Sequence, residues 1–191
     1  MCVHYLETIG HHTCEKDGTK EKVLKNAPFL SEYNEDDNKT PFLGTGYYFW
    51  DNNIEMARLW GKWHYKNGYY IIEAKLILKK PDFFDLVGNR ADMIYFRKLI
   101  KILEKKFRDK KWTVGKAIEF LKRLNNKCNG IFPFKVIRAV NDSDRIRRLK
   151  RGKEKYNFSN KDYIFLDPRI MICFVEKNDD IILNKKLIEE R

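Results

Sequence analysis

Cysteine is scarce: Cys2, Cys14, Cys128 and Cys173 lie scattered, with no CxxC spacing and no close His pairing. That excludes a zinc ribbon and a dense disulfide framework, and a reducing compartment is the simpler setting. Long apolar runs are absent as well. No stretch approaches the roughly 20 residues a membrane span needs, and Met1 to Gly10 has neither a basic nor an apolar leader region. The expectation is a cytoplasmic protein with no membrane partner. Acidic residues are too few to balance the basic ones, 27 against 39, which leaves a net charge of +12. Such a surplus favours polyanions: nucleic acid, nucleotide phosphates or acidic surfaces.

What is present is a foldable chain. Hydrophobic residues make up 43% and aromatic residues 14% of 191 positions, enough to exclude a disordered or collagen-like polymer and to build one domain spanning 1–191. The segment up to Ile9-Gly10-His11-His12-Thr13 reads as a short strand that stops at a polar corner. Residues 15–39 read as connection. Pro41-Phe42-Leu43-Gly44-Thr45-Gly46-Tyr47-Tyr48-Phe49-Trp50 is a Gly-rich turn feeding an aromatic strand, with Asp51-Asn52 placed to cap a helix over 53–66. In that helix Ile54, Ala57, Leu59-Trp60 and Trp63-His64 recur at helical spacing. A strand over 69–78 ends before Pro81.

Two helical stripes follow, the second capped by Thr113, and predict a helical hairpin inserted at about 88–127. Strands are expected over 131–140 and 163–175, separated by a basic loop at about 143–157 that contains Arg145-Ile146-Arg147-Arg148-Leu149-Lys150-Arg151. A charge run of this kind is most often a solvated face.

Three pieces share one order: a strand with His-x-Thr, a Gly-x-Gly-Tyr-Tyr-Phe segment before a Trp-rich helix, and a late strand opening on Asp162-Tyr163-Ile164-Phe165. In a strand, residues two apart share a face, so His11 and Thr13 point together and His12 away. This pattern resembles the ADP-ribosyltransferases of the diphtheria-toxin and poly(ADP-ribose) polymerase type, whose trio is His, Tyr and Glu. Phe83-Phe84-Asp85-Leu86 is similar to the close of the family's next strand. The likeness covers Ile9 to Leu86 and Lys161 to Phe174.

The resemblance implies an α+β fold with a split, bent, mainly antiparallel sheet flanked by helices and carrying the helical hairpin. It implies NAD as co-substrate and transfer of ADP-ribose to a macromolecular acceptor, protein or nucleic acid, in a toxin, effector or phage-conflict setting with a cognate antitoxin or immunity partner. His11 would bond a ribose hydroxyl, His12 would offer its backbone to the nicotinamide amide, and Thr13 would stand beside them. Gly44 and Gly46 would let the chain turn beside the ligand, and Tyr48 and Trp60 would wall the nicotinamide. Asp162, in place of the family Glu, would stabilise positive charge developing on the ribose, a role that Asp167 or Glu176 could fill under another register. Two other readings use the same residues: a non-catalytic NAD, ADP-ribose or nucleic-acid binding module, and a basic nucleic-acid-binding protein or nuclease relying on His11, His12 and the basic run.

Overall fold

The computed structural model describes residues 5–34, 40–141 and 168–191 in full, and the backbone alone of 155–157 and 163–165. In chain order the elements are β1 (Tyr5–Glu15), α1 (Lys20–Asn26), β2 (Leu30–Ser31), β3 (Gly46–Asp51), α2 (Ile54–His64), β4 (Tyr69–Lys79) and β5 (Phe83–Asp85). They continue as α3 (Arg90–Lys106), α4 (Val114–Lys127), β6 (Val136–Val140), β7 (Lys155–Asn157), β8 (Tyr163–Phe165), β9 (Ile170–Phe174) and β10 (Ile182–Glu190).

The fold is α+β, with an open, mixed sheet ordered β10-β4-β1-β3-β9-β6-β5 and β2 laid on β3. Every neighbouring pair is antiparallel except β5 with β6. β7 and β8 form a separate antiparallel pair. The seam between β1 and β3 is short. β1 pairs with β4 along its whole length but meets β3 only at Gly10↔Asp51 and His11↔Trp50.

Alternation along the strands divides the core as a period of two requires. Trp50, Ile71 and Cys173 face a cluster completed by Met56 of α2, Leu103 of α3 and Ile118 and Leu121 of α4. Phe49, Ala74, Ile172 and Phe174 face a second cluster on the other side. The expected helical hairpin is present, and its apolar stripes belong to the same core as the sheet. Thr113 caps α4 as expected, its hydroxyl accepting from the Lys116 N–H at 3.2 Å.

Several expectations are corrected. β1 does not stop at His-His-Thr: it runs on to Glu15, because both histidines and Thr13 are buried and keep their pairing to β4. Within the expected connection, Thr19 caps the short helix α1, which anchors itself by Val23. The cap of α2 is Asn53, whose side chain accepts from the Met56 N–H at 2.9 Å. Asp51 instead faces Arg138 at 2.7 Å. Trp63 of α2 is 59% exposed and lies off the apolar stripe.

The strand expected over 131–140 begins only at Val136, since Phe132 and Phe134 leave the sheet to pack on Phe84, with ring centroids at 5.2 and 4.3 Å. The strand expected over 163–175 is two strands with different partners, β8 on β7 and β9 between β3 and β6. β10, unforeseen, covers the outer edge of β4. Among the described residues no helix is long and apolar enough to cross a membrane. Most of the basic loop at 143–157 lies outside the described residues.

Candidate functional site

A cleft of about 430 Å³ opens where β1 and β3 part, and His11, Thr13, Tyr48, Trp60, His64 and Met171 are among the residues lining it. The parting has a local cause. The Asn52 N–H donates to the Ile9 carbonyl at 2.7 Å, and His11 pairs with Trp50 two residues on. By the antiparallel repeat the next such pair would be Thr13 with Tyr48. Instead the His12 ring takes the Tyr48 carbonyl, its Nδ1–H donating at 2.9 Å, while its Nε2 accepts from the Phe29 N–H at 3.1 Å.

These two bonds fix His12 as the neutral Nδ1–H tautomer. Burial pulls its pKa down to about 4, only partly offset by the Tyr48 carbonyl. The ring is therefore a brace between β3 and the Phe29 segment. Strand period also turns the peptide groups of His11 and Thr13, and not those of His12, toward the opening.

His11 stands on the other face of β1. Its Nε2 lies 3.4 Å from Glu73 Oε2, and the second oxygen of Glu73 meets Lys186 Nζ at 2.8 Å. Burial lowers the pKa of His11, with Glu73 opposing that shift. The Glu73 carboxyl is itself held low, chiefly by Lys186. A carboxylate only accepts, so the proton of neutral His11 sits on Nε2 and the Nδ1 lone pair is left over. Nδ1 is buried and has no hydrogen-bond partner among the described residues. A buried polar atom without a partner carries a desolvation cost of about 1–3 kcal/mol, which a ligand hydroxyl would relieve.

Thr13 uses its hydroxyl to donate to the Ala57 carbonyl at 2.9 Å, fastening α2 to β1. That bond brings the helix, and with it Trp60, over the cleft. Trp60 lies 6.1 Å from Trp50 and is stacked at 3.7 Å with His64, whose Nδ1–H donates to the Trp60 carbonyl at 3.0 Å. One face of Trp60 is thus covered by an exposed imidazole.

The Tyr48 hydroxyl donates to the Gly44 carbonyl at 2.5 Å and accepts from the Leu43 N–H at 2.8 Å. Burial raises its pKa well above the ordinary range, so it stays a phenol. The ring is held against the Gly-rich turn by both of its bonds. Neither Gly44 nor Gly46 lines the cleft. Gly44 adopts a φ of +82°, where a side chain would also run into Glu119, and Glu119 accepts from the Thr45 N–H at 2.7 Å. A Cβ at Gly46 would strike Cys173 and the Phe174 carbonyl. Both glycines serve the approach of α4 and β9 to this turn.

His11, Tyr48, Trp60 and Thr13 are therefore gathered at one cleft. Asp162 and Asp167 lie outside the described residues, and Glu176 is exposed just beyond β9, away from the cleft lining. Sequence reasoning missed Glu73, Lys186 and His64. A charge inside the apolar run Tyr70-Ile71-Ile72-Glu73-Ala74 was the available signal for Glu73. Lys186 depended on the pairing of β10, and His64 read as part of a helical stripe. The chain matches no family model, no curated protein and no solved structure.

Proposed function

We propose that this chain is an NAD-dependent ADP-ribosyltransferase acting on a macromolecular acceptor, with the cleft between β1 and β3 as its NAD site. One observation carries the reading: the buried His11 imidazole, whose Nδ1 has no partner among the described residues, lines the same cleft as two aromatic rings, at the point where the sheet parts. The volume lies within the usual range for small-molecule sites, about 300–1,000 Å³. His11 Nδ1 accepts a hydrogen bond from a ribose hydroxyl of NAD. The rings of Tyr48 and Trp60 flank the nicotinamide, and the peptide groups of Thr13 meet its carboxamide, the part expected of His12.

In the reaction the bond between ribose C1′ and the pyridinium nitrogen breaks, and its electron pair stays with nicotinamide, which leaves neutral. The ribose passes through an oxocarbenium-like state. The acceptor nucleophile bonds to C1′ and gives up its proton. Asp162, the residue to which the family likeness assigns this role, stabilises the developing charge.

The test is nicotinamide release from NAD by the purified chain, alone and with cell extract, compared with Asp162→Ala, Tyr48→Ala and His11→Ala. Release that falls at least about a hundredfold in Asp162→Ala is expected. Absence of release, with NAD still raising the melting temperature, would replace the enzyme by a binding module. Neither release nor stabilisation would remove NAD from this cleft.

A further inference from the structure

A second hollow, of about 320 Å³, lies on the helical hairpin and is lined by Lys110, Lys111, Lys116 and Arg123 together with the rings of Trp112 and Phe120. Its charge is set by the sequence around it. Residues 105–127 hold nine Lys or Arg against two acids, Asp109 and Glu119, a surplus of seven within a chain total of +12. Glu119 is occupied by Lys122 at 2.7 Å. Among the described residues Lys111 and Arg123 have no ion-pair partner, and the Lys110 ammonium rests over the rings of Phe107 and Trp112 at 5.6 and 5.9 Å. The indole N–H of Trp112 is buried and has no acceptor among the described residues.

Lys111 and Arg123 are like charges side by side with no counterion among the described residues, and a polyanion relieves their repulsion. The aromatic rings add what phosphate alone does not ask for: a surface for a base.

The hollow and the candidate NAD cleft have neighbouring walls. Pro41 lines the cleft, and its carbonyl oxygen packs against Gly115 in the first turn of α4, one residue before Lys116. On the opposite wall Ser31 lines the cleft and Tyr33, two residues on, lines the hollow. The turn at Pro41 and the segment Ser31 to Tyr33 thus each contribute to both walls or stand beside them.

We infer that this hollow holds one nucleotide of a single-stranded nucleic acid, and that a neighbouring nucleotide of the same strand is the acceptor. Phosphates meet Lys111 and Arg123, and a base lies against the Trp112–Phe120 edge. A duplex keeps its bases stacked inside and cannot offer one to so small a hollow. The inference rests on the proposed NAD reaction for the transfer step only.

Fluorescence anisotropy with the full chain and no NAD separates the two. The probes are a labelled 12-nucleotide RNA, the same sequence as DNA, the duplex, and an acidic peptide of equal charge. Each is titrated at two salt concentrations against wild type, Lys111→Glu/Arg123→Glu, and Arg147→Glu/Arg148→Glu in the basic run. Both changed residues of the groove variant are exposed, and circular dichroism checks its fold. Single strands should bind at least tenfold more tightly than the duplex or the peptide. The groove variant should lose tenfold or more and flatten the slope of log K against log salt by about 1.4, two phosphate contacts. The RNA and DNA arms say which backbone is preferred.

Equal binding of duplex or peptide, or loss only in the Arg147→Glu/Arg148→Glu variant, would overturn the inference. Such a failure alongside nicotinamide release would leave the NAD cleft standing. Single-strand binding without release would retain the groove and remove the transferase.

Discussion

The His12 imidazole hydrogen-bonds the Tyr48 carbonyl at 2.9 Å, occupying with a side chain the ladder position that the Thr13 backbone would otherwise fill. The sheet opens there because a ring is wider than a peptide group, and the cleft is the space that results. His11, one residue earlier, shares the burial but plays the opposite part. Its Nε2 is taken by Glu73, and its Nδ1 is left buried with no hydrogen-bond partner among the described residues.

That arrangement makes Glu73 a positioning residue whose effect can be read directly. Glu73→Gln keeps an acceptor for Nε2–H and should keep the tautomer. Glu73→Leu should shift the proton between ring nitrogens and lower nicotinamide release about tenfold, the scale of one charge-assisted hydrogen bond. Nitrogen-15 shifts of the His11 ring report the tautomer independently of activity, and unchanged shifts in Glu73→Leu would refute the role.

His12 should make stability depend on pH in a defined window. Its folded pKa, about 4, lies below the unfolded value of 6.5. The unfolded state therefore binds a proton first as pH falls, and the stabilisation present above pH 6.5 is lost progressively down to about pH 4. The loss for this fully buried group is roughly 3 kcal/mol. Melting curves of wild type and His12→Asn between pH 7.5 and 4 should converge as pH falls. Parallel curves would mean that the buried ring does not titrate in this way.

Arg138 bridges two buried carboxylates, Asp51 at 2.7 Å and Asp85 at 3.4 Å, and Thr8 donates to Asp51 at 2.5 Å. Arg138→Met leaves both acids without their cation and should cost about 3–5 kcal/mol in urea unfolding. A loss under about 1 kcal/mol would show that water reaches the pair in the variant.

Thr13 separates a structural hydroxyl from a ligand contact. Thr13→Val keeps the backbone at the opening but removes the bond to the Ala57 carbonyl, and should cost about 1 kcal/mol of stability. The KM for NAD should change little. A large rise in KM with stability intact would place the hydroxyl on the ligand instead.

By itself the sequence determined the helices that carry caps and apolar stripes, the strand after Gly46, the strand before Pro81, and the pairing of His11 with Thr13 on one face. All of these are local, because helix and strand periods repeat within a few residues and need no partner to be read. It also marked His11, Tyr48 and Trp60 as companions, through a family likeness in the order of short motifs. Only the tertiary structure decided what those side chains do. Glu73 meets His11 because β4 pairs with β1 in one register, Lys186 joins them because β10 covers β4, and His12 becomes a brace because β3 comes within its reach. Gly44 and Gly46 answer to α4 and β9 for the same reason. Such contacts join residues far apart in the chain, and their geometry depends on strand register, which a pattern of polar and apolar residues does not encode.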